Sequence, residues 1–139
     1  MARSTPETEQ VLKDYEDVWY GDVSKLDVVS ETVSVHGPDV PDGAVHGRDA
    51  FESYVREFRT AFPDFHVAVE ERLAREPVVM IEWTATGTQE GEFLGNPPTD
   101  REFEITGVSK ILIEDGKVRE ERLYYDLREM LEQLGLREG

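Results

Sequence analysis

The chain has 139 residues, 15 Lys plus Arg against 31 Asp plus Glu, no Cys and 38% apolar residues, for a formal charge of −16. That balance repels nucleic acid and anionic membrane surfaces unless a local basic patch offsets it, and the Arg and Lys residues are scattered along the chain. The lack of cysteine excludes disulfides, thiolate metal sites, iron–sulfur clusters and a cysteine nucleophile.

One domain over residues 1–139 is expected, long enough to bury its own core. Residues 1–10 lack the apolar stretch of a secretory leader, and no run approaches the roughly 20 apolar residues of a membrane span, so the expectation is a cytoplasmic protein. Acidic residues occur in nearly every segment and Lys is confined to Lys13, Lys25, Lys110 and Lys117. This pattern fits a halophilic-type surface better than an acidic patch for one basic partner.

Thr5-Pro6-Glu7 supplies a cap, a first-turn proline and an acid, and Leu12, Tyr15 and Trp19 follow at helical spacing, so a helix is predicted from residue 6 to about 20, stopped by Gly21. Ser24 is a candidate cap for a short second helix, and residues 32–35 read as a strand before the Pro/Gly-rich loop 36–43. The strongest helical signal runs from Arg48 to Phe62, with Phe51, Tyr54, Val55, Phe58, Ala61 and Phe62 on one stripe and Pro63-Asp64 as its stop. The period then changes. Phe65, Val67 and Val69 alternate, 78–88 and 103–113 are rich in β-branched residues, and Val118 to Tyr125 follows the Asp115-Gly116 turn. Residues 126–134 read as a short closing helix with Leu127, Met130, Leu131 and Leu134 apolar. Helices first and a meander afterwards give an α+β fold, a curved antiparallel sheet wrapped around N-terminal helices with a pocket in its concave face.

Five segments in order resemble the SnoaL-like polyketide cyclase family of the nuclear transport factor 2-like superfamily. They are His46-Gly47-Arg48-Asp49-Ala50-Phe51, Phe58 to Asp64, Trp83 to Thr88, Gly91 to Thr99, and Glu120 to Asp126 with Gln133-Leu134-Gly135. The resemblance implies a cone of about six strands and three to four helices around a deep pocket for a hydrophobic small molecule, and a homodimer through the sheet. Two positions depart from the family pattern. Gln89 stands where a histidine is common, and Arg122 stands where many members carry a tryptophan, which would make the pocket more polar.

By the same resemblance, Asp126 matches the aspartate that serves as general acid/base. On the residues alone, Val118, Glu120, Arg122, Tyr124 and Asp126 share parity on one strand face, but Asp126 also suits the N-cap of the closing helix. A single acid/base carboxylate suffices for intramolecular aldol closure, without metal or cofactor. Tyr15, Trp19, His36, Tyr54, Phe58, Trp83, Ser109, Arg122 and Tyr124 are the candidate ligand-binding residues, with core packing as the alternative for the aromatic stripe. His36 could equally be a hydrogen-bonded loop histidine. His46 reads as a helix-start residue and His66 as an exposed strand residue, and the three histidines have no metal-ligand spacing. Neither a Gly-x-Ser-x-Gly elbow nor a phosphate-binding glycine loop is present.

A cyclase or isomerase is therefore the leading expectation. The alternatives are a non-catalytic binding protein of the same fold and an epoxide hydrolase-like enzyme using Arg122 and Asp126. Ketosteroid-type isomerisation would need Tyr15 and a carboxylate near His36, where Asp39 is nearest. The charge carries its own test: the melting temperature should rise between dilute buffer and molar salt as self-repulsion is screened, and a salt-independent melting curve would contradict it.

Overall fold

A computed structural model describes residues 5–136. Residues 1–4 and 137–139, which include part of the segment read above for a leader, lie outside the described residues. Helix α1 spans Pro6–Trp19, and the Thr5 hydroxyl accepts a hydrogen bond from the Thr8 amide, capping it as expected. Leu12, Tyr15 and Val18 are buried along its inner stripe. A short 3-10 turn follows over Val23–Val28, capped by Asp22 rather than by Ser24, whose own amide donates to the Asp22 carboxylate. Helix α2, Arg48–Ala61, buries Phe51, Tyr54, Val55 and Ala61.

The strands are β1 (Val29–His36), β2 (Ala44–His46), β3 (His66–Arg75), β4 (Val78–Thr88), β5 (Glu102–Glu114) and β6 (Lys117–Tyr125), followed by helix α3 (Leu127–Leu134). They form one curved, unclosed sheet in the order β2-β1-β6-β5-β4-β3. The expected α+β architecture is present, with a correction at one ladder: β1 and β6 run parallel, while the other neighbouring pairs are antiparallel. The intervening chain, α2 and β3 to β5, is long enough to make the crossover a parallel pair requires. Strand β2 places His46 on a strand instead of at a helix start. Three residues without alternating burial leave no periodic signal in the sequence.

Register shifts in three ladders shape the sheet, one of them between Val29 and Ser34 where β1 pairs with β6. In β3 the register with β4 slips between Val69 and Glu71. In β6, Leu112 of β5 faces Glu120 while the next residue, Ile113, faces Val118, so Arg119 is an unopposed extra residue. Each bulge bends its strand and raises the local twist, which helps curve the sheet.

The core has two parts. One joins α1, α2 and β1 through Leu12, Tyr15, Val18, Val33, Val35, Phe51 and Val55. The other closes the far end of the sheet with Phe62, Phe93, Phe103, Met130 and Leu134. Gln89 is fully buried beside the second cluster. Its side-chain amide donates to the carbonyls of Gly91, Asn96 and Pro97 at 3.1–3.3 Å, and its oxygen accepts from the Thr99 hydroxyl at 2.9 Å. The departure at Gln89 therefore braces the 89–101 connection. At the β3 edge of the sheet, the Tyr20 hydroxyl, just past α1, accepts the Val67 amide at 2.8 Å. Among the described residues, no helix is long and apolar enough to cross a membrane.

Phe62 has no exposed surface and packs its ring against Phe58, Phe93 and Phe103. Phe62→Ala should lower the unfolding free energy by about 3–5 kcal/mol, measured by urea denaturation. A loss below about 1 kcal/mol would mean that the far end is not a packed core.

Candidate active site

The concave face of the sheet, covered by α1 and α2, encloses a cavity of about 570 Å³. The β6 bulge decides which side chains reach it. Beyond Arg119 the inward positions are Glu121, Leu123 and Tyr125, opposite Ile111, Ser109 and Gly107 of β5. Trp83 of β4 faces Gly107, where a β-carbon would lie 2.5 Å from the indole ring. The missing side chain at Gly107 is what lets Trp83 lie flat on the sheet and wall the cavity.

Glu121 is buried at 4% exposure, and the Tyr15 hydroxyl donates a hydrogen bond to its Oε1. The Trp83 indole N–H donates to Ser109 Oγ at 2.9 Å, and Ser109 and Trp19 line the cavity with Glu121. Burial pushes the Glu121 carboxyl above its ordinary value, and the donors from Tyr15, Ser109 and Trp19 only partly offset that. Burial and the adjacent Glu121 charge raise the Tyr15 phenol well above its own usual range, so it stays a hydrogen-bond donor.

A second carboxylate, Asp39, lies in the loop after β1 and is 6% exposed. Its Oδ2 accepts from the Tyr54 hydroxyl at 2.6 Å and its Oδ1 from the Tyr125 hydroxyl. Both phenols are raised, first by burial and then by the Asp39 charge. Asp39, Tyr54, Glu121 and Tyr125 all line the same cavity.

Of the ligand-binding candidates, Tyr15, Trp19, Tyr54, Phe58, Trp83 and Ser109 line the cavity, whereas His36, Arg122 and Tyr124 do not. The uninterrupted parity read along β6 places Arg122, Tyr124 and Asp126 inward, and the extra residue Arg119 reverses it. Arg122 lies on the outer face, its Nε donating to Glu120 at 2.9 Å. His36 is its register partner in β1, with Nε2 3.2 Å from Ser34 Oγ. Tyr124 is exposed on the same outer face. Asp126 is exposed, absent from the cavity lining, and accepts the Glu129 amide at 3.1 Å as the N-cap of α3. The alternation of Leu123 and Tyr125 against Val118 is the signal of the bulge in the sequence, since all three are apolar or aromatic yet differ in parity. Among the described residues, no group of His, Asp and Glu is arranged to hold a metal ion.

Residues 9–134 match the family model of the SnoaL-like polyketide cyclases. The chain belongs to that family. A curated SnoaL-like relative, nogalonic acid methyl ester cyclase from Streptomyces nogalater, is 34% identical over 100 residues, covering 70% of this chain and 75% of the relative. A structure from Jannaschia sp. CCS1 assigned to the SnoaL-like polyketide cyclases superposes with a TM-score of 0.85 at 22% identity, covering 99% of this chain and all of that one. TsrD from Streptomyces laurentii superposes at 0.83 with 21% identity, covering 98% and 100%. At these identities the two structures speak for the shared SnoaL-like fold alone.

The raised Glu121 carboxyl makes this SnoaL-like fold sensitive to pH. The native state keeps the Glu121 proton to higher pH than the unfolded chain, whose carboxyl titrates near the ordinary 4.5. Its stabilising contribution is therefore present below that value and lost as pH rises through the raised native one. Relative to wild type, Glu121→Gln should gain thermal stability as pH rises above 4.5. A pH-independent difference in melting temperature would contradict the shift.

Proposed function

We propose that this protein is a cofactor-independent cyclase of the aldol type, acting on a hydrophobic, carbonyl-bearing small molecule, with Glu121 as its acid/base group. The observation that carries this reading is a buried carboxyl with a raised proton affinity, held by Tyr15 inside an apolar cavity. A carboxyl tuned toward neutrality both accepts and returns a proton efficiently.

In such a reaction the Glu121 carboxylate takes a proton from a carbon flanked by carbonyls. The electron pair left behind forms the enolate, whose carbon attacks a second carbonyl of the same molecule. The new carbon–carbon bond leaves an alkoxide, and Glu121 returns its proton there, so substrate and product are isomers. Tyr15, kept neutral, holds the Glu121 carboxyl in place with its hydrogen bond. The aromatic walls hold the two carbons together, a proximity effect that supplies up to about 7–11 kcal/mol in the best intramolecular cases. The relative's name makes nogalonic acid methyl ester the first substrate to try. Exposed Leu73, Met80 and Tyr124 on the outer sheet face support pairing of two copies through that face.

Glu121→Gln should lower turnover by about 10²–10⁴-fold. Asp126→Asn should retain turnover within about tenfold, because its carboxylate caps a helix. Chromatographic separation of the isomeric product from nogalonic acid methyl ester and related keto-esters provides the measurement. Loss in Asp126→Asn with activity kept in Glu121→Gln would transfer the role to Asp126, and binding without product would favour a non-catalytic pocket protein.

A further inference from the structure

The cavity holds two buried carboxyl side chains, Asp39 and Glu121, with phenol, indole and serine donors around them. No cationic side chain sits among those partners. The cationic residues on the lining are Lys13 and Arg72, and both belong to the mouth: each is exposed, and Arg72 lies 3.9 Å from Glu9 at the surface. Glu9 and Glu16 also line that mouth. Buried charge is ordinarily paired, because an unpaired ion in an apolar surrounding forfeits its hydration. Here the protein supplies only hydrogen bonds to the carboxyls, so the Glu121 proton affinity is raised, and a cation beside them would supply the missing counter-charge.

The walls around the two carboxyls are aromatic. Trp19, Tyr54, Phe58, Trp83 and Tyr125 line the same space, and Tyr54 and Tyr125 each donate to Asp39, which increases the electron density of their rings. Tyr125, which donates to Asp39, shares the inward face of β6 with Glu121, which places the two carboxyls around one region of the cavity. Aromatic faces combined with uncompensated carboxylates form a recognition surface for an organic cation.

We propose that the cavity selects small molecules whose apolar body carries a tertiary or quaternary ammonium group, seated between Asp39 and Glu121 against the aromatic walls. This rests on the reading of the cavity as a substrate site and narrows the substrate class. It also serves the chemistry, since an enolate formed beside Asp39 meets a like charge that an ammonium group on the same substrate offsets. Anionic ligands meet repulsion from both carboxyls.

The test compares two probes of the same shape, (3-hydroxyphenyl)trimethylammonium and 3-tert-butylphenol, by isothermal titration calorimetry on the full chain. Titration in about 1 M NaCl shrinks the Debye length to about 3 Å, which suppresses the general attraction of cations to the −16 charge. The cationic probe should bind at least about tenfold more tightly than the neutral one. That ratio should fall toward unity in Asp39→Asn and in Glu121→Gln, while affinity for the neutral probe is kept. Equal affinities, or tighter binding of the neutral probe, would overturn the charge selectivity and leave the substrate-cavity reading standing. A ratio unchanged in both variants would also overturn it, assigning the preference to the acidic mouth. Absence of binding by either probe would count against both readings. The wild-type comparison does not depend on how well either variant folds.

Discussion

Between Val118 and Glu120, β6 contains one residue more than the stretch of β5 it faces. A strand has a side-chain period of two, so this single unopposed residue reverses every later position. Glu121, Leu123 and Tyr125 turn to the cavity, and Glu120, Arg122 and Tyr124 turn to the outer face. The candidate catalytic carboxyl, one of the two phenols on Asp39 and the aliphatic wall at Leu123 all depend on that reversal. The bulge also bends the strand, so the curvature that makes room for a cavity and the parity that furnishes it share one cause.

Around that frame the cavity is built by contacts between distant parts of the chain. Tyr15 comes from the first helix, Tyr54 from the second, and Ser109, Glu121 and Tyr125 from the final hairpin. Each acidic group is held by phenols that burial keeps protonated, so the tyrosines act as donors to the carboxyls. The result is a pre-organised polar floor inside an aromatic shell. Such a site orients a ligand without paying the reorganisation that water would require.

Most of the elements were legible in the sequence because their signals are local. The 3.6-residue stripe from Phe51 to Phe62, the Thr5-Pro6 start of α1 and the Asp115-Gly116 turn each fix a boundary without reference to the rest of the molecule. The aromatic lining from α1 and α2 follows from the same helical periodicity. What was hidden is non-local. The parallel pairing of β1 with β6 is a property of topology, and β2 is too short to carry a pattern. In the sequence Asp39 stands out only as the carboxylate nearest His36, and its place in the cavity depends on Tyr54 and Tyr125, 15 and 86 residues away, closing on it. Glu121 stood within a recognised segment but on the face that uninterrupted alternation assigns to solvent. For Asp126, the sequence offered both a cap and a catalytic role, and the hydrogen bond to Glu129 is the capping one.

The contact of Tyr20 with Val67 bears on a different hazard. Strand β3 ends the sheet on the side where α1 leaves a gap, and an unpaired strand edge is a template for joining a second chain. The Tyr20 hydroxyl occupies one outward-facing amide of that edge, and Glu70, Glu71, Arg72 and Arg75 line the exposed stretch beyond it. An approaching strand would find a blocked donor and charged side chains in its path. The cavity can thus stay open between α1 and β3 while that rim resists the growth of aggregates.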